Sequence, residues 1–209
     1  VKLFLASYRF GAHPDTFVDM TGTPGRIAVI ANACDSWPDA ARASAVTSEF
    51  RSLRELGFEP EELDLRGSTK AIAAMLDSVS AVWVRGGNTF VLRSRLALSG
   101  AENEIARRVR DGRLVYGGYS AGACVASTSL RGIETADDPA DVHPTTGGDV
   151  IWDGLGFVET SLIPHYGSIL DDTNSGATMV ERYRRDGTPF VTLDDDQVLV
   201  VDGDRQERI

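Results

Sequence analysis

Apolar runs and amphipathic stretches alternate along this chain. Residues 3–7 and 26–31 are continuous β-rich apolar runs, and each predicts a strand buried on both faces. Residues 40–56 carry Ala43, Val46, Phe50 and Leu53 at helical spacing. A short strand is expected at 62–65, after Phe58-Glu59-Pro60, then a helix at 69–78 and a buried strand at 81–84. Helices at 90–98 and 102–111 follow, and then a strand at 114–117. This β-α-β-α rhythm predicts an α/β fold: a three-layer α/β/α sandwich around a mostly parallel sheet. Ligands of such sheets sit beyond the C-terminal strand ends.

The rhythm breaks after Ser127. Residues 131–160 are rich in Gly, Asp, Thr and Pro, with a β-like piece at 149–152. They predict an irregular excursion with a hairpin, walling a site. Regular structure is expected again as a strand at 159–163 and a helix at 176–185. Two short strands, 190–193 and 197–201, are expected to close the chain. With no internal repeat or linker in view, residues 1–209 read as one domain.

Bulk composition narrows the function classes. The chain has 209 residues, 42% of them hydrophobic, enough for a sizeable core. Its net charge is −10, and no basic stripe is present to bind nucleic acid. The two cysteines, Cys34 and Cys124, form neither a disulfide framework nor a metal pair. Cys124 reads as a small buried apolar residue. No apolar run is long enough to span a membrane. Residues 1–6 read as a first strand and not as a signal peptide, so a cytoplasmic location is expected.

The sharpest chemical signal is Gly118-Tyr119-Ser120-Ala121-Gly122. It follows an apolar run and precedes small, helix-compatible residues. That is the G-x-S-x-G pattern in a strand–turn–helix setting, where the serine is lifted to the sheet edge. The bland alternative is a Gly-rich turn with an incidental serine. A serine hydroxyl needs a base, and the base needs an orienting acid. Of the three histidines, His13 lies in an early loop and His143 in the irregular segment. His165 follows Ser161-Leu162-Ile163-Pro164, just past a strand end, and is the best base. Asp194-Asp195-Asp196 lies in the last turn, and three acids exceed what a polar turn requires. The favoured order is Ser120, His165, Asp195, with Asp194 and Asp196 open as alternatives. An α/β-hydrolase order would instead need Asp149 or Asp153 between serine and histidine. Arg85-Gly86-Gly87-Asn88-Thr89 forms a second glycine turn. The N–H of Gly87, with that of Ala121, is a candidate oxyanion hole. As a plain strand-to-helix turn, it would have Thr89 as N-cap.

Together these residues resemble the peptidase E (α-aspartyl dipeptidase) family of serine peptidases. The resemblance rests on Gly86-Gly87-Asn88-Thr89-Phe90, Gly118 to Ala123, Ile163-Pro164-His165-Tyr166 and Leu193 to Asp196. It implies a fold like class I glutamine amidotransferases, with Ser120 as nucleophile, His165 as general base and Asp195 as acid. Family members often carry Glu at that last position. It further implies Asn88, Asp137 and Arg182 as substrate-binding residues, with Asp137 holding a free α-amino group. The expected substrate is a small peptide with N-terminal aspartate, and the expected oligomer is a homodimer. No metal or organic cofactor is implied. Met179 stands where the family pattern has the arginine for the aspartyl side chain, and Arg182 lies one turn further on. A cyanophycinase-like hydrolase, an esterase or amidase, and a non-catalytic binding module are the alternatives.

Overall fold

The fold was obtained as a computed structural model that describes residues 1–171 and 173–209. Strand β1 (Lys2–Ala6) leads to helix α1 (Pro14–Thr21), which starts with a proline at its first position. That position needs no N–H and suits the fixed φ of proline. Strand β2 (Arg26–Ile30), helix α2 (Asp39–Glu55) and strand β3 (Glu59–Glu62) follow. Helix α3 (Thr69–Asp77) is capped by Ser68, whose hydroxyl accepts the Ala71 N–H. Then come β4 (Ala81–Val84), α4 (Thr89–Ser99), α5 (Ala101–Arg110), β5 (Val115–Tyr119) and the single-turn α6 (Ala121–Cys124). The chain finishes with α7 (Val142–Thr146), β6 (Ser161–Ile163), α8 (Ser175–Asp186), β7 (Phe190–Thr192), β8 (Val198–Asp202) and β9 (Arg205–Arg208).

Seven strands form the main sheet in the order β3-β2-β4-β5-β1-β8-β9. The first five run parallel, β8 runs antiparallel to β1, and β9 antiparallel to β8. Side chains alternate along each strand, so each face has its own core. Leu3, Leu5, Ala28, Ile30, Val82 and Val84 pack with Ile72 and Leu76 of α3, Leu92 and Leu96 of α4 and Ile105 of α5. Phe4, Ala6, Ile27, Val29 and Trp83 pack with Phe17 and Met20 of α1 and Leu53 of α2. The expected mostly parallel sheet between two helical layers is therefore present.

Three expectations are corrected. The strand expected at 62–65 lies at Glu59–Glu62, with Pro60 inside it. It pairs on one side only, with β2. An edge position tolerates both the missing proline N–H and the acidic residues. No strand forms at 149–152; an isolated bridge joins Ser129 to Asp153 instead. The excursion is built of short helical turns, as at Ile133–Thr135 and α7. The chain also ends on a third strand, β9, whose four residues are all exposed, so no apolar pattern marks it.

The expected strands 159–163 and 190–193 pair with each other outside the main sheet, as a parallel two-stranded unit, β6 with β7. No described helix is long and apolar enough to cross a membrane.

Candidate active site

Adjacent strand ends build the site. In the sheet, β5 lies between β4 and β1, and all three point the same way. Ser120 therefore stands beside the loop after β4 and the first residue after β1. Its backbone N–H is shared between the carbonyls of Ala6 and Ser7, at 3.2 and 3.1 Å. Ser120 has φ +51° and ψ −118°, a sparsely populated conformation for a residue with a Cβ. The tightness of the turn also fixes Gly122, since a Cβ there would collide with the Val84 carbonyl oxygen.

The loop after β4 lies directly on the serine. A Cβ on Gly86 would stand 2.9 Å from Ser120 Cβ and 3.4 Å from its Oγ. Neither the Gly87 N–H nor the Ala121 N–H has an acceptor among the described residues. Two free donors thus flank the nucleophile candidate. Behind them, the fully buried Glu49 carboxylate accepts the Tyr119 hydroxyl at 2.7 Å and the Trp83 indole N–H at 2.9 Å. Arg85 Nε lies 3.3 Å from the same carboxylate. One acid so ties the residue before Ser120 to the residue before Gly86.

The small β6–β7 sheet brings the histidine and the acid together. Parallel pairing puts Ile163 opposite Thr192, and the chain beyond both strands emerges on one side. The Leu193 N–H donates to the Ile163 carbonyl at 2.9 Å, and the Tyr166 N–H to that of Leu193 at 3.0 Å. His165, at φ +58°, is then within 2.7 Å of Asp195, from Nδ1 to Oδ1. Of the three turn acids, Asp194 accepts the Asp196 N–H on its own carboxylate, so it closes the turn. The Asp195 carboxylate also accepts hydrogen bonds from Ser7 Oγ, at 3.1 Å, and from Ser168 Oγ. Burial alone would raise its pKa; the bonds from Ser168, His165 and Ser7 outweigh it and hold the carboxyl below its ordinary range.

Ser120 and His165 line one cavity of about 190 Å³, together with Thr89, Ala121, Cys124 and Asp137 among others. Asp137 Oδ2 accepts the Thr89 N–H at 2.9 Å, and burial raises its pKa. Cys124 is buried as expected, and burial pushes its thiol well up. Among the described residues no cluster of three or more His, Cys, Asp or Glu is arranged to hold a metal ion.

Two expected binding residues are engaged elsewhere. Asn88, not Thr89, is the N-cap of α4: its Oδ1 accepts the N–H groups of Phe90 and Val91 at 2.9 and 3.1 Å. Its Nδ2 donates to the Asp138 carbonyl and to Asp141. The side chain is buried and satisfied, and it fixes the helix whose first turn holds Asp137. Arg182 forms an ion pair with Glu134 at 2.5 Å and lies 3.6 Å from Asp186, outside the cavity lining. Ser7 and Glu49 are the residues that sequence reasoning missed. Glu49 did carry a signal, since it falls on the buried stripe of α2 between Val46 and Leu53.

Several known proteins are similar to this chain. Over 120 residues the chain is 35% identical to an uncharacterized peptidase of Listeria innocua, covering 57% of this chain and 55% of that protein. Over 140 residues it is 37% identical to peptidase E of Streptomyces coelicolor, covering 63% of this chain and 53% of that one. The chain thus spans about half the length of these curated relatives. Its fold is similar to the crystal structure of a candidate peptidase E from Listeria monocytogenes, with a TM-score of 0.82 at 24% identity. That match covers 100% of this chain and 97% of the other, and at such identity it is a likeness of fold. A model of peptidase family S51 matches residues 13–209, and the chain belongs to that family.

Proposed function

We propose that this chain is a serine peptidase of small peptides, working through Ser120, His165 and Asp195. The observation that carries the reading is the 2.7 Å bond between His165 Nδ1 and Asp195 Oδ1, at a cavity that His165 shares with Ser120. Asp195 holds the imidazole with its proton on Nδ1, which leaves Nε2 free to act as base. His165 takes the Ser120 proton as Oγ attacks the scissile carbonyl. The N–H groups of Gly87 and Ala121 receive the developing oxyanion, each worth about 3 kcal/mol in such sites. His165 then protonates the leaving amine. Water, deprotonated by His165, releases the acyl group from Ser120. These steps use side chains, backbone N–H groups and water.

Asp137 supplies the anchor for a free α-amino group. It lines the cavity, and Thr89 fixes one of its oxygens. An anchor so near the nucleophile favours substrates with few residues before the cleaved bond, such as dipeptides. The N-terminal aspartate expected from the resemblance finds less support. A buried carboxylate needs a cation, and neither lysine nor arginine is among the lining residues.

Ser120→Ala tests the reading. It should abolish both dipeptide hydrolysis and labelling by a fluorophosphonate probe, with an unchanged melting curve. Undiminished turnover in that variant would sink the assignment.

A further inference from the structure

The recess beside Ser120 is lined in part by apolar side chains. Met179, on the buried face of α8, lines it together with Ile133 and Cys124, and all three are almost wholly buried. Leu170 and Pro164 add to the lining at the side of His165. Among the described lining residues, the carboxyl groups are those of Asp137 and Asp171, and there is no lysine or arginine. Asp171 is already engaged, accepting the Ser175 hydroxyl at 2.8 Å and the Gly176 N–H at 3.0 Å at the start of α8. Asp137 has one oxygen on the Thr89 N–H.

The nearby cations are turned to other partners. Arg182 is paired with Glu134, whose other carboxylate oxygen accepts the Gly132 N–H at 2.6 Å. Arg131 lies over the Trp152 ring, 5.2 Å from its centre. An acidic side chain entering the recess would therefore meet two acidic groups and lose its water without an opposite charge. A lysine or arginine would lay its charged end on Met179 and Ile133, while Asp171 already holds two donors. A neutral apolar side chain loses nothing on entry and gains burial against three apolar residues.

We infer that the residue whose carbonyl Ser120 attacks has a neutral, apolar side chain of leucine or methionine size, seated on Met179, Ile133 and Cys124. This rests on the serine peptidase reading above and names the substrate class of that same site. Met179 is then the specificity-determining residue.

The test is a panel of free aminoacyl-p-nitroanilides carrying Leu, Met, Asp or Lys, offered to the unmodified protein beside a fluorophosphonate probe. The Leu and Met members should exceed Asp and Lys in kcat/KM by at least about tenfold, the discrimination a shaped apolar pocket achieves. Faster turnover of Asp or Lys would overturn the inference and leave the peptidase reading intact. Ser120 labelling without cleavage of any member would also overturn it. No cleavage and no labelling would remove the peptidase reading itself. Met179→Arg gives a second measure: wherever it folds, the ratio of Asp to Met turnover should rise at least about tenfold, through a charge-assisted pair. An unchanged ratio would place the side chain outside this recess.

Discussion

The backbone N–H of His165 donates to Ser7 Oγ at 2.6 Å, across 158 positions of sequence. The same hydroxyl donates to Asp195 Oδ1 at 3.1 Å, and the Ser7 carbonyl accepts the Ser120 N–H. A fully buried serine at the end of β1 so touches all three members of the proposed triad. Ser7 is a positioning residue, because it orients the histidine and the acid without lining the cavity. Ser7→Ala strands a histidine N–H and removes one donor from Asp195. A stranded buried donor costs about 1–3 kcal/mol. The expected result is a kcat about tenfold lower with KM unchanged, the pattern of a lost transition-state interaction. Steady-state kinetics beside melting curves checks this, and a rise in KM alone would speak against it.

Asp195 and Asp194 are neighbours with separate tasks. Asp195→Asn keeps the shape but permits the wrong imidazole tautomer, and kcat should fall by about 10³–10⁴-fold, as in other triads. Asp194→Asn still offers an oxygen to the Asp196 N–H, so kcat should stay near that of the parent protein. Turnover assays on the two variants decide the matter, and a reversed order would reassign the acid.

The buried acid behind the oxyanion loop makes a stability prediction. Glu49 serves the Tyr119 hydroxyl, the Trp83 indole and Arg85 at once. Glu49→Leu leaves the half-buried Arg85 without its counter-charge and the Tyr119 and Trp83 donors without their acceptor, and should destabilise the fold by about 3 kcal/mol or more. Glu49→Gln keeps one oxygen for the Trp83 indole N–H and an amide N–H that can donate to the Tyr119 hydroxyl oxygen, so it should lose less. Urea unfolding midpoints of the two variants measure the difference, and equal midpoints would show that the hydrogen bonds to Tyr119 and Trp83 have no role.

How much of this was legible in the sequence depends on whether the signal was local. The Ser120 turn was legible because its glycines, the strand before it and the helix after it lie within a few residues. His165 was legible as a strand-end histidine. Asp195 is favoured within a triplet whose other members stay open, because each of three adjacent acids suits a turn, and it is the one bonded to His165. Ser7 was invisible, since its partners lie more than a hundred residues away. The capping role of Asn88 went unread for the opposite reason. The resemblance made Asn88 a substrate ligand, whereas an asparagine just before a helix is a strong N-cap. Strands β3 and β9 were misplaced or missed because edge strands need no apolar alternation.

Asp137 links binding to stability through pH. Burial raises its pKa in the folded protein, so between the ordinary aspartate value and the raised one the folded state holds a proton that the unfolded chain has lost. Stability therefore falls as pH rises through that window, and the deficit persists above it. Asp137→Asn removes the ionisation and keeps an oxygen for the Thr89 N–H. The melting temperature of this variant should exceed that of the parent at about pH 7 and match it near about pH 3, where the aspartate is protonated in both states. Activity should move the other way. Without the carboxylate, a free α-amino group loses a charge-assisted hydrogen bond of about 1.5–3 kcal/mol, and KM for a free dipeptide should rise about tenfold or more. A variant that is more stable at neutral pH and weaker in substrate binding is the signature of a group kept for function at a cost in stability. Melting temperatures at both pH values, with KM at the higher one, test the whole argument. A variant stabilised equally at both pH values would show that ionisation is not the cause.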